Sequence, residues 1–185
     1  MRRIRVIGLI LAFALVATTS LASAQEAPTK ALTVNPLGLI LGIVSAEYEV
    51  ETSPGTTMGL QGLYWNPDLG WDLDLSAIGG AIGFRKYATG QTLKGLYYGA
   101  YASFASVSGI AYDSWTKTWE SARASVIGLF GVGGIKWLGS SGFVGDLGVS
   151  LGLPLVTTIS SGNLSQTDIA GVMSTSISFS IGYAW

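Results

Sequence analysis

The sequence has 185 residues, of which 49% are hydrophobic and only 11% are charged, whereas about 25% are charged in an ordinary soluble domain. It contains no Cys and no His, with 10 basic and 11 acidic residues. Disulfides, Cys redox chemistry, His-dependent triads and the commonest zinc sites are therefore excluded. Because basic residues do not outnumber acidic ones, the charge also argues against nucleic acid as a partner.

The first 24 residues have the pattern of a secretory signal peptide. Three early arginines precede the apolar run 6–17, and the small-residue site Ala22-Ser23-Ala24 follows. This order is typical of a segment that is cleaved on export. The apolar run is too short to span a bilayer comfortably as an uncleaved anchor. We therefore expect cleavage after residue 24, which leaves residues 25–185 as one domain.

The rest of the chain has no segment with the roughly 20 uninterrupted apolar residues of a transmembrane helix. The best candidate, residues 124–138, is interrupted by four glycines and contains Lys136. A hydrophobic, charge-poor chain without such helices can span a bilayer only as a closed β-barrel, because there every backbone group binds a neighbouring strand. The composition therefore favours an outer-membrane barrel.

The first predicted strands lie in residues 31–52, where the two-residue pattern changes phase. The odd positions 37, 39 and 41 are leucines, whereas the odd positions 47, 49 and 51 are glutamates. One continuous strand would place both sets on the same face. We therefore predict two short strands here, separated by a turn or bulge near residues 42–45.

Clusters of Gly, Pro, Asn and Asp divide the remaining sequence into runs of strand length. Further strands are predicted at 57–65, 73–88, 95–112, 120–138, 143–155 and 172–185. Long outer loops are predicted at 66–72, 113–118 and 157–170, and short inner turns at 53–55, 89–94 and 139–142. Bacterial barrels have an even number of strands, short periplasmic turns and longer external loops. The predicted fold is an all-β, eight-stranded, antiparallel, up-and-down transmembrane β-barrel in the bacterial outer membrane.

The last predicted strand alternates between large apolar residues and small residues. Ile177, Phe179, Ile181, Tyr183 and Trp185 occupy the odd positions, whereas Ser, Gly and Ala occupy the even ones. A period of two places the two sets on opposite faces, and the large set suits lipid. The last four of these residues also resemble the C-terminal signal that the barrel assembly machinery recognises on its clients. We expect that machinery and the lipid bilayer as partners, and a monomeric protein.

Five short motifs resemble, in the same order, those of an uncharacterised family of small bacterial outer-membrane barrels. They are TVNPLGLI (33–40), EYEV (47–50), LYWNP (63–67), FRKY (84–87) and GLYYGAY (95–101). The fourth motif departs from the family pattern, because Gly83 stands where the family has a Glu two residues before Arg85. The resemblance implies a barrel whose architecture is similar to OmpA-type and OmpX-type eight-stranded barrels. The family has no established activity, so the resemblance implies a fold rather than a function.

Five charged residues fall on or near the predicted inner faces of the strands: Glu47, Glu49, Arg85, Arg123 and Asp146. An eight-stranded barrel is just wide enough for side chains to fill it, and buried charges must pair with one another. We therefore interpret these residues as a network of salt bridges that plugs the lumen, with Arg85 at its centre. A ligand-binding or gating role for the same residues is the alternative.

The predicted function is that of a small outer-membrane barrel with a structural or surface-interaction role and no open pore. Aromatic residues near the strand ends, such as Tyr64 and Trp137, are typical of the girdles at membrane interfaces. The alternatives are a small channel, a ligand-binding barrel, a soluble lipocalin-like carrier and an envelope enzyme. We predict no enzymatic activity, because barrel enzymes of this size use a His with a Ser, and we expect no metal or cofactor.

Overall fold

The structure is a computed structural model that describes residues 27–66, 73–113, 118–161, 164–169 and 173–185. The predicted signal peptide lies outside these residues. The described part begins with β1 (Lys30–Val34), the short helix α1 (Pro36–Ile40), β2 (Ile43–Ser53) and β3 (Thr56–Trp65). It continues with β4 (Leu73–Tyr87), β5 (Gly95–Asp113), β6 (Thr118–Leu138), β7 (Phe143–Ser161), β8 (Leu164–Ile169) and β9 (Ser174–Ala184).

The strands form a closed antiparallel ring in which β1 to β7 pair with their neighbours in the chain. β9 closes the ring, because it pairs with β7 on one edge and with β1 on the other. β8 pairs with residues 156–161 of β7 on the same edge as β9. β8 and β9 together therefore occupy the position of the eighth strand of the barrel. If the paired residues are followed once around the barrel, from Ser174 of β9 through β7 and on to β1, the path returns to β9 at Ala184. This is ten residues further along the strand than where it began. This stagger tilts the strands, and the predicted all-β, eight-stranded, up-and-down barrel is confirmed.

The predicted loop at residues 157–170 is wrong, because these residues are mostly strand. β7 continues to Ser161 and pairs with β8 in a hairpin. Thr157, Thr158 and Ile159 are β-branched and favour extended backbone. The predicted loops at 66–72 and 113–118 lie largely outside the described residues.

The predicted split of residues 31–52 is present, but the break is a helical turn that comes earlier than residues 42–45. The Asn35 side chain caps α1 by accepting a hydrogen bond from the Gly38 N–H at 3.0 Å. Pro36 suits the first helical position, and without an N–H it cannot continue the ladder of β1. The chain then reverses at Gly42, whose φ of 75° is a conformation that glycine adopts without strain.

The three short turns predicted from the sequence lie with the C-terminus at one end of the barrel, which we call the inner end. The Tyr87 N–H donates to the Gly55 carbonyl and the Ala184 N–H donates to the Gly142 carbonyl, both at 2.8 Å. The Gly55 N–H donates to the Thr92 hydroxyl at 3.0 Å. At the opposite, outer end the wall is uneven: β5, β6 and β7 have 19, 21 and 19 residues, whereas β1, β2 and β3 have 5, 11 and 10.

The two faces of the wall differ in chemistry, with polar groups buried inside and apolar groups exposed outside. The exposed apolar side chains include Leu60, Ile82, Phe84, Leu96, Leu129, Leu147, Val149, Leu151 and Ile177. The buried polar side chains are Thr33, Glu49, Thr57, Arg85, Lys136 and Asp146. A soluble domain has the opposite distribution. Among the described residues, no helix is long and apolar enough to cross a membrane.

Candidate functional site: a charged layer and a vestibule in the lumen

Five charged side chains converge in the lumen from four strands, and we call them the charged layer. Glu47 and Glu49 are two residues apart on β2 and therefore share its inner face. Arg85 comes from β4, Lys136 from β6 and Asp146 from β7. Lys136 and Asp146 are directly paired across their strands. The register of the barrel thus brings residues far apart in the sequence to one level of the lumen.

Arg85 is the centre of the charged layer. Its Nη2 lies 2.8 Å from Glu47 Oε2, and its Nη1 lies 3.1 Å from both Glu49 Oε2 and Asp146 Oδ2. Its guanidinium carbon also lies 4.6 Å from the centre of the Tyr97 ring. A planar guanidinium binds several carboxylates at once and keeps its charge. Arg85 therefore ties β4 to β2 and β7 across the lumen.

Lys136 is the second cation of the charged layer and is absent from the network predicted from the sequence. Its Nζ contacts Glu49 Oε2 and lies 3.2 Å from Asp146 Oδ2. A signal for it exists, because Lys136 is the only charged residue between Arg123 and Asp146. A lone Lys on the lipid face of a barrel strand is destabilising, which favours the lumen for this one.

Hydroxyl groups complete the charged layer, since each carboxylate accepts a hydrogen bond from a tyrosine. The pairs are Tyr87 to Glu49 at 2.6 Å, Tyr97 to Asp146 at 2.7 Å and Tyr101 to Glu47 at 2.8 Å. The Thr57 hydroxyl also donates to Glu49, at 2.5 Å. Three carboxylates face two cations, which leaves a formal charge of −1. The hydroxyl donors stabilise this unmatched negative charge, because buried charges need hydrogen bonds.

Glycines on the neighbouring strands make room for Tyr101. A Cβ at Gly83 would overlap the Tyr101 ring and the Ala100 carbonyl, and a Cβ at Gly59 would overlap the Tyr101 hydroxyl. Gly83 is also the position at which the resembling family has a Glu. In this chain the position provides space for a tyrosine instead of a carboxylate.

Arg123 is not part of the charged layer, so this part of the predicted network is wrong. It lies an odd number of residues from Lys136 on β6, which places it on the opposite face of that strand. Its side chain is exposed, and its Nε donates to the Ser108 hydroxyl on β5 at 3.2 Å. The structure brings the other four predicted residues together.

A small apolar cluster closes the lumen at the inner end, below the charged layer. Leu93, from the turn between β4 and β5, is fully buried and packs with Ala31, Val144 and Ala184 of β1, β7 and β9. Its φ of 62° is uncommon for a residue other than glycine. The turn therefore directs Leu93 into the mouth of the barrel, a feature that the sequence pattern did not indicate.

Above the charged layer the lumen widens into a cavity of about 700 Å³, which we call the vestibule. Glu47, Arg85 and Asp146 contribute to its lining, where they form the floor. Hydroxyl side chains in its wall are Ser45, Ser103, Ser150, Thr157, Ser174, Ser176, Ser178 and Ser180. Within the described residues, the buried Arg85 Nε has no hydrogen-bond partner. Above its charged floor the wall of the vestibule is uncharged, and it combines these hydroxyl groups with apolar side chains such as Val126, Phe130 and Val132.

The four residues of the predicted assembly signal alternate with small residues that face the lumen. Phe179, Ile181 and Tyr183 lie on the outer face of β9, and each pairs across the strand with a residue of β7. Trp185 follows the strand, and its ring centre lies 6.4 Å from that of Tyr48. These residues form a continuous apolar and aromatic strip that reaches the inner end of the barrel.

The chemistry of the charged layer is that of a closed network. Every carboxylate oxygen of Glu47, Glu49 and Asp146 already binds a cation or a hydroxyl. The two cations and the hydroxyl donors thus fix the positions of all three carboxylates. In the described part of the chain, no group of three or more His, Cys, Asp or Glu side chains is placed to hold a metal ion.

No protein-family profile matches this chain, and no curated protein matches it. Similar solved structures include the crystal structure of Acinetobacter baumannii CarO, with 10% identity, a TM-score of 0.46 and coverage of 88% of this chain and 100% of that chain. The crystal structure of CarO2 from the same organism has 10% identity, a TM-score of 0.44 and coverage of 85% and 98%. At this identity and these TM-scores the likeness carries no argument about function. The motif resemblance to the family of small outer-membrane barrels stays a prediction.

Proposed function

We propose that this chain is a small outer-membrane β-barrel protein with a closed lumen, which has a structural or surface-interaction role and is not an open pore. The observation that carries the proposal is the charged layer, in which five side chains are joined across the lumen. Such a layer inside a ring with an apolar exterior suits a barrel that spans a bilayer without conducting.

The exterior supports the placement in a bilayer. The ten steps from Ser174 to Ala184 rise about 25 Å along the axis, at ~3.3 Å per residue and a tilt of about 40°. This is the height of the apolar band of outer-membrane barrels. Trp137 and Trp185 are both partly exposed near the inner end, where an interfacial girdle is expected. In water, an apolar surface of this extent would drive aggregation.

Two barriers in series support the closed lumen. Leu93 fills the inner mouth with an apolar side chain, and the charged layer lies directly above it. An ion that crossed would have to displace Arg85 or Lys136 from buried carboxylates, and separating such a pair costs several kcal/mol. Eight strands also enclose far less space than the 16–18 strands of porins.

The tall side of the barrel supports a surface role. A tilted strand needs about 9–11 residues to cross a bilayer, whereas β5, β6 and β7 have 19, 21 and 19 residues. Their surplus residues project beyond the apolar band at the outer end. This projecting wall is the part of the protein that other molecules at the cell surface would meet.

The proposal is tested by conductance in planar lipid bilayers. We expect wild-type protein, refolded and verified as folded by its shifted gel mobility before heating, to show no sustained current steps. An open porin prepared in the same way is the positive control. Large, stable steps that persist after repurification of the wild type would contradict the closed lumen.

A second candidate function, a ligand-binding barrel, is favoured by the vestibule alone. Its volume of about 700 Å³ falls in the range of small-molecule sites. A ligand that binds only the folded state raises the unfolding midpoint. We would screen neutral polyols and sugars for such a rise, with Ser103→Phe as a variant that fills the vestibule. A rise that is equal in both proteins would exclude binding inside it.

A further inference from the structure

The wall of the vestibule is incomplete between β2 and β9. Toward the outer end, β1 pairs with β9 no further than Ile181, where β1 ends at Val34. β9 nevertheless continues to Ser174, and in the described part of the chain no strand pairs with this edge of β9 above Ile181. We call this gap the lateral opening. It is bounded by residues 174–180 of β9, by β2 and by α1.

The free edge of β9 presents backbone groups to the lateral opening. Lys30 and Trp185 exchange two backbone hydrogen bonds, at 3.0 and 2.9 Å. In an antiparallel pair every second residue has this orientation, so the same edge carries the N–H and C=O groups of Thr175, Ile177 and Phe179. An unpaired strand edge at membrane depth is tolerated only where it lines a cavity. The lateral opening meets this condition, because it joins the vestibule.

The residues on both sides of the lateral opening line the vestibule. The lining includes Ser176 and Ser178 on the β9 side of the lateral opening, and Asn35 and Ser45 on the opposite side. By the stagger of the barrel, the free edge of β9 occupies the outer half of the ~25 Å apolar band. Hydroxyl groups inside the barrel therefore reach the level at which lipid surrounds it.

The outside of the lateral opening is apolar. Ile40 and Leu41, at the end of α1, are 81% and 67% exposed, and Leu37 is 55% exposed. Ile177, on the free edge of β9, is 80% exposed. The acyl chain of a lipid at this position would contact apolar side chains at the surface. Its polar group would contact hydroxyl groups and the backbone groups of the β9 edge just inside.

We propose that the lateral opening binds a membrane lipid from the outer half of the bilayer. The acyl chain lies against α1 and Ile177, and the ester or hydroxyl groups of the lipid bind the free edge of β9 and the serines beside it. This inference rests on the proposed placement of the barrel in a membrane. It assigns α1 a role as the apolar border of a lipid site.

The test uses single cysteines, because the chain contains none of its own. Ser176→Cys and Ser178→Cys probe the lateral opening, Ser103→Cys probes the vestibule wall on β5, and Leu129→Cys probes the outer face. β5 is paired on both edges, so Ser103 is the matched control inside a complete wall. Each protein is labelled with bimane, checked for folding by gel mobility and placed in vesicles of phosphatidylcholine brominated at the middle of its acyl chains.

We expect the bromolipid to quench bimane at Ser176 and Ser178 nearly as strongly as at Leu129, and to quench it much less at Ser103. Weak, equal quenching at Ser103, Ser176 and Ser178, with strong quenching at Leu129, would overturn the lipid site and leave the membrane barrel intact. Weak quenching at Leu129 itself would instead contradict the placement in a membrane. The two results are distinct, so each proposal can fail separately.

Discussion

Replacement of Arg85 by Ala should destabilise the barrel more than any other single change in the charged layer. The substitution removes all three ion pairs of Arg85 and leaves Lys136 as the sole cation facing three carboxylates. The formal charge of the layer then changes from −1 to −2. Because these groups are buried, water cannot compensate for the loss.

The expected cost follows from the burial of the partners. Removing one partner of a buried ion pair costs about 3–5 kcal/mol. The three pairs form one network, so their contributions do not add independently, and we expect the total to stay near this range. Arg123→Ala is the matched control, since Arg123 is exposed and donates a hydrogen bond to Ser108, outside the charged layer. Such a surface change should alter the free energy of unfolding by less than about 0.5 kcal/mol.

The assay is equilibrium unfolding by urea in lipid vesicles, followed by Trp fluorescence and by gel mobility. A second substitution tests the electrostatic cause. Glu47→Gln returns the layer of the Arg85→Ala protein to a formal charge of −1, so it should restore part of the lost stability. In the wild type the same change should be destabilising, because it removes an ion pair of 2.8 Å. Equal midpoints for Arg85→Ala and Arg123→Ala would refute the reasoning.

Two further substitutions and one deletion test other parts of the structure. Tyr87→Phe removes a buried hydrogen bond to Glu49 and should cost about 1.5–3 kcal/mol in the same assay, whereas Tyr98→Phe on the outer face should cost almost nothing. Gly83→Ala places a Cβ against the Tyr101 ring and should lower the yield of folded barrel, whereas Gly62→Ala, with no atom within 4 Å of the added Cβ, should fold normally. Deletion of Trp185 should reduce the heat-modifiable protein in the outer membrane, and an unchanged amount would count against the assembly signal.

The strands that carry the apolar band could be predicted from the sequence, because there the two faces meet different environments. In β9 the large residues face outward and the small ones face the lumen, so a period of two is visible in the sequence. On β7 the charged Asp146 lies between Gly145 and Leu147, and the same period of two places it on the lumen face and its two neighbours on the opposite face. Short turns were predictable for a related reason, since Gly55 and Gly142 have positive φ and glycine is the residue that adopts it freely.

The exchange of Arg123 for Lys136 in the network shows where the pattern fails. In β6, glycines occur on both faces: Gly128 and Gly134 share the phase of Lys136, whereas Gly131 shares the phase of Arg123. With small residues on both faces, the two-residue pattern no longer distinguishes lumen from lipid. The pairing of Lys136 with Asp146 supplies that information, and it depends on contacts between strands.

The hairpin of β7 and β8 was missed for a different physical reason. Its residues, such as Thr157, Thr158 and Gln166, are mostly polar, so no alternation of polar and apolar positions marks them as strands. The composition of this segment therefore resembles that of a loop. The burial of Leu93 was also not predicted, because it depends on how the turn between β4 and β5 folds back into the barrel.

The short β1 explains why the lumen has a closed inner part and an open outer part. Asn35 and Pro36 end β1 after five residues, so the ring is complete only where β1 pairs with β2 and β9. Glu47 and Glu49 pair with residues of β1, which places the charged layer inside this complete section. A buried ion network requires a wall that excludes water and fixes the partners. Above β1 the wall is open to one side, and the vestibule lining there is uncharged: serines on β9 face apolar side chains such as Val126 and Phe130 on β6, so no charge is left without a partner.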